Sequence, residues 1–114
     1  MPQLTLNLFQ GSVSFSFPPE SARNLKQHIS QLMESLKAIA ANTASKSKPT
    51  PQKPMEYRYT GDVFLEIFCN PNIYPSPFAA KVLLTLRDES IRLTTEAELT
   101  RLLEDIDIFL EQVE

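Results

Sequence analysis

The chain has 114 residues, the size of one domain and enough to bury a single core without disulfides or a metal. It is 42 % hydrophobic and 22 % charged with a formal net charge of −3, a balance too mild to demand a polyanionic or polycationic partner. Two glycines leave no material for a phosphate-cradling loop, and one cysteine excludes an internal disulfide.

The first ten residues, MPQLTLNLFQ, lack the basic and apolar regions of a signal peptide. The apolar run Val63-Phe64-Leu65 stops at Glu66, far short of a membrane span. The lone Cys69 fits a reducing, cytoplasmic setting.

Leu4, Leu6 and Leu8 alternate with polar residues, as do Val13, Phe15 and Phe17, with Gly11 between the runs. A period of two predicts a β-hairpin with one buried face. Pro18-Pro19-Glu20 then opens a helix, since proline suits the first turn and an acid its positive end. Apolar residues at 22, 25, 29, 32, 36 and 39 form one stripe, which predicts a helix from about Pro19 to Ala44. Residues 42–54, NTASKSKPTPQKP, hold three lysines, three prolines and no large apolar side chain. They predict a flexible Lys/Pro-rich linker at about 43–55.

A second β region follows. Tyr57-Arg58-Tyr59 leads into Thr60-Gly61-Asp62, which reads as a turn or bulge. Strands are expected at 63–69 and 80–87, with a short return strand at 91–93. Thr95 with Glu98 three residues later has the spacing of a capping box, so a last helix is expected from there to about Val113. The order ββα, linker, βββα predicts a single α+β domain. Its expected form is a two-layer sandwich: a mainly antiparallel sheet of about five strands with two amphipathic helices on it.

The strands of the second region are apolar on both sides. Val63, Leu65, Ile67 and Cys69 share one face with Val82, Leu84 and Leu86, while Phe64, Phe68 and Leu83 share the other. Two helices on one face leave the second group open, and each such side chain is worth about 1.5–3 kcal/mol when buried. The cover would be a helix, the connection CNPNIYPSPF at 69–78, a second copy, or a different protein. Three prolines stiffen that connection, so Tyr74 and Phe78 are expected either to cap the face or to anchor a partner. Ile108 falls opposite the apolar arc of the last helix, beside Arg101, Glu104 and Glu111, and is a further candidate contact.

Residues 21–54 carry six Lys/Arg against one Glu, and residues 94–114 carry seven Asp/Glu against Arg101. The two helical regions therefore have opposite signs. His28 and Cys69 are the sole residues of their types and form no catalytic or metal-ligand pattern. No enzyme activity, metal or cofactor is expected. The reading is a small protein–protein interaction module, such as an adaptor, regulator or assembly factor, whose partner is another protein or a second copy in a homodimer. The alternative is a nucleic-acid-binding module that uses Lys46, Lys48 and Lys53 with Tyr57, Arg58 and Tyr59.

Overall fold

Period-two alternation at the N-terminus becomes a separate two-stranded antiparallel sheet in the computed structural model, which describes residues 1–44 and 51–113. Strand β1 (Gln3–Asn7) pairs with β2 (Ser12–Ser16) so that Leu4 opposes Phe15 and Leu6 opposes Val13. The turn needs a left-handed residue, and Gly11 supplies it with φ of 83°. Leu4, Leu6, Phe15 and Phe17 are buried, so the hairpin keeps the one-sided character of its sequence.

Helix α1 (Pro19–Ala44) has the expected bounds. Its stripe of Ala22, Leu25, Ile29, Leu32, Leu36 and Ile39 is buried along its length. Of the expected linker at 43–55, residues 45–50 lie outside the described part, and 43–44 belong to α1. Met55 belongs to a strand and is buried, not part of a tether.

The rest of the chain forms a four-stranded antiparallel sheet in simple sequential order: β3 (Met55–Thr60), β4 (Phe64–Cys69), β5 (Lys81–Arg87) and β6 (Arg92–Glu98). The fold is therefore α+β with six strands in two sheets, where the sequence suggested five in one. One difference accounts for the sixth strand. Tyr57-Arg58-Tyr59 is part of a full strand rather than an approach to a turn. Separately, Arg92–Glu98 runs five residues past the expected end of the short return strand at 93.

The capping box at Thr95 and Glu98 does not form, because both residues remain in the ladder. Ala97 pairs with Val82 and is 2 % exposed. Burial and pairing against β5 outweigh a local cap worth about 1 kcal/mol. Helix α2 (Leu99–Val113) starts after them, and the Leu99 N–H donates to the Ala80 carbonyl at 3.0 Å. At the β5–β6 turn, the Asp88 carboxylate accepts the N–H groups of Ser90 and Ile91, both at 2.8 Å. Those bonds hold its carboxyl below the usual range.

One core joins the hairpin, both helices and one face of the larger sheet. Its sheet members include Met55, Tyr57, Leu65, Ile67, Cys69, Val82, Leu84 and Ala97. The opposite signs of the helices meet at Lys26 Nζ and Asp107 Oδ1, 2.6 Å apart. Both side chains are more than 40 % exposed, so this pair orients the helices more than it stabilises them.

Candidate interaction face

Side chains alternate across a strand, so the residues between the buried ones on β3–β6 point away from the helices. The register arranges them in rows. Glu56, Phe68, Leu83 and Glu96 oppose one another across the four strands. The next row is Arg58, Glu66, Thr85 and Thr94, and the third is Thr60, Phe64, Arg87 and Arg92. Among the described residues, none of these outward side chains belongs to the core or packs against it.

The structure brings Phe64, Phe68 and Leu83 onto this one face. Phe68 and Leu83 are direct cross-strand partners and remain 37 % and 45 % exposed. Phe64 is half-buried, with the Arg87 guanidinium 4.3 Å from its ring centroid. Stacking on the planar cation shields that ring without a covering helix. On the middle row, Arg58 and Glu66 are cross-strand partners with a 2.7 Å Nε–Oε2 bond, and Thr85 is buried among its neighbours.

The proline-rich connection is not part of this face. It forms two short 3-10 turns, Pro71–Ile73 and Pro77–Ala79, whose neighbours are α1 and α2. Pro71, Pro77 and Ala80 are buried, and Tyr74 packs against the core. Its stiffness serves a clamp. Asn70 Oδ1 accepts the Asn72 N–H at 3.0 Å, and the Asn72 amide bonds to both backbone groups of Gln52 at 2.8 Å. The chain entering β3 is thus held by the loop that leaves β4. Phe78, at 84 % exposed, stands on the second turn, and Ile108 is 45 % exposed on α2. No periodic pattern marks Asn72, because its partner is twenty residues away.

The basic-aromatic set is divided. Tyr57 is buried, T-shaped against His28, with its hydroxyl 3.5 Å from the Ser21 carbonyl. Tyr59 is half-buried on the same side and packs edge-on to Phe17 at 4.8 Å. Neither ring offers a free face for base stacking, because β alternation turns both inward and only Arg58 outward. Lys53 is exposed. Lys46 and Lys48 lie outside the described residues.

His28 and Glu56 line a cleft of about 470 Å³ with Lys53 and Gln31. No hydrogen bond joins the imidazole to Glu56 among the described residues, and His28 Nδ1 lies 3.0 Å from the Asn24 carbonyl of its own helix. Cys69 is buried on the inner face, and burial pushes its thiol up to about 11. It is therefore protonated near neutrality, the opposite of an activated nucleophile. No helix is long and apolar enough to cross a membrane, and no cluster of three or more metal-ligating side chains occurs, among the described residues. Comparison with protein-family models, curated proteins and solved structures finds no significant match.

Proposed function

We propose that this protein is a small, non-catalytic protein–protein interaction module that docks through the outer face of β3–β6. The observation that carries the reading is the Phe68–Leu83 pair, adjacent across the two central strands and open to solvent. Single exposed apolar residues are ordinary. A cross-strand aromatic–aliphatic pair in the middle of a sheet, framed by charged side chains, has the arrangement of an interface centre with a polar rim.

The test places a photo-crosslinking amino acid at Leu83, with a control at Glu34 on α1, in the full chain expressed in its native host. A protein adduct at position 83, absent from the control and lost with Phe68→Ser, is the expected result. No adduct at position 83 overturns the reading. Phe68→Ser is a fair probe because it points outward and should change monomer stability by less than about 1 kcal/mol. Its inward neighbour Ile67, when changed to Ser, should cost about 3–5 kcal/mol through lost packing and a buried hydroxyl.

A further inference from the structure

Strand β2 has an open backbone edge. The Leu8 N–H donates to the Gly11 carbonyl and the Phe17 N–H to the Pro2 carbonyl, both at 3.0 Å. Bonded and unbonded pairs alternate along an antiparallel ladder, so these two bonds set its phase. Ser12, Ser14 and Ser16 fall at unbonded positions, with N–H and C=O turned away from β1. The same phase turns Asn7 outward on β1, where its N–H meets Asp105 at 2.7 Å. Nothing comparable closes β2: no backbone group among the described residues bonds to Ser12, Ser14 or Ser16. The edge strands of the larger sheet carry charged side chains, Glu56 and Arg58 on β3 and Arg92, Glu96 and Glu98 on β6, which discourage further pairing. Strand β2 reads SVSFS and pairs without a bulge, so it has no charge, proline or kink to protect its edge.

A groove of about 420 Å³ lies along that edge, with residues 13–16 as one wall. Leu86 and Leu93, cross-strand partners on the inner face of the larger sheet, form its floor with Val63. Ile91 stands at the rim, 68 % exposed. We infer that this groove takes an extended segment of another protein, which adds to β2 as a third strand of the small sheet. This surface is separate from the outer face of β3–β6 and does not depend on it.

Strand geometry fixes the chemistry of the occupant. Residues directly opposite each other in a ladder point to the same face. Ligand residues facing Ser12, Ser14 and Ser16 make the backbone bonds and turn their side chains to solvent. Those facing Val13 and Phe15 turn theirs down onto the floor, so they are apolar. Main-chain bonds then give affinity, and the alternate side chains give selectivity. A second copy's β2 could supply the backbone bonds but not the floor contacts, because its Val13 and Phe15 are packed against its own core. The groove's acids are Asp62 and Asp88, and the Arg87 guanidinium at the same rim lies over Phe64 on the outer face. The segment is therefore alternating apolar and polar, with basic residues at its ends.

The test is an NMR titration of the full chain, labelled with nitrogen-15, with the capped peptide KVTVTVK into the millimolar range. Saturable shifts and slowed hydrogen exchange are expected at the Ser12, Ser14 and Ser16 amides. Methylating the threonine nitrogens of the peptide, which face β2 in this register, should weaken binding about tenfold or more. Methylating the valine nitrogens, which face away, should change it less than about twofold. Ser14→Pro should also weaken binding about tenfold, because it removes an outward donor at an edge position that tolerates proline. Asp62→Lys should weaken it about threefold. Thermal melts followed by circular dichroism verify that both variants fold, and the methylated pair, used on the unaltered chain, decides the matter if they do not. No shift at β2 overturns the inference, as does an equal response to the two methylation patterns. Concentration-dependent protection of the three serine amides without peptide gives the edge to a second copy and overturns it as well.

Discussion

Asp105 on α2 takes two hydrogen bonds from Asn7 at the end of β1: the backbone N–H at 2.7 Å and the side-chain Nδ2 at 2.8 Å. Asp105 is 4 % exposed, with Arg101 Nε 3.7 Å from its Oδ1. A buried carboxylate is tolerated there because both oxygens are engaged. The pairing also occupies an edge group of β1 that no strand satisfies, and so fastens the small sheet to the helix. Asp105→Ala should lower unfolding free energy by about 3 kcal/mol, since it removes both acceptors and strands a backbone donor. Asp105→Asn keeps one acceptor and should lose less. Urea unfolding at pH 7 gives both values, with an unchanged slope expected if the fold is otherwise intact.

Gly61 is constrained by its neighbour rather than by its backbone. A Cβ at this position would overlap the hydroxyl and ring of Tyr59, which packs edge-on to Phe17 at 4.8 Å. Gly61→Ala should push the Tyr59 ring off Phe17 and cost about 1–2 kcal/mol. If Tyr59→Phe, which shortens the ring at the overlapping end, recovers much of the loss, the collision with the hydroxyl is the cause. Thermal melts of the single and double variants measure it.

Asn72 should matter more to one segment than to the whole molecule. Its amide bonds to the Gln52 N–H and carbonyl, both at 2.8 Å. Those contacts are exposed, so Asn72→Ala should cost about 1 kcal/mol overall. Hydrogen exchange at Gln52 should accelerate while amides in β4 and β5 keep their rates, as expected for a local opening.

Alkaline pH should destabilise the fold. Burial raises the Cys69 thiol from its ordinary 9.0 to about 11. Burial, then the neighbouring Tyr59, raises the Tyr57 phenol from 10.0 to about 12. Above pH 9 the folded state holds protons that the unfolded chain has released. Stability is therefore complete below 9 and falls as pH rises through the folded values. Urea titrations from pH 8 to 11 should show that decline, and Cys69→Ala should flatten its earlier part. At pH 8 a thiol reagent should leave native Cys69 untouched and label it in urea.

Local period and the residues that end it were enough to place α1 from Pro19 to Ala44, the one-sided hairpin, and the two-sided character of β4 and β5. These follow from side-chain direction, which repeats every two or 3.6 residues regardless of what lies nearby. Tertiary structure decided whatever depends on which segments become neighbours. It made Met55–Thr60 an edge strand, kept Thr95 and Glu98 in a ladder instead of a cap, and joined Asn72 to Gln52. It also laid the Arg87 guanidinium over Phe64 and left Phe68 beside Leu83. Cross-strand pairing is a long-range choice made by total burial and hydrogen bonding, and its energy appears in no single stretch of the chain.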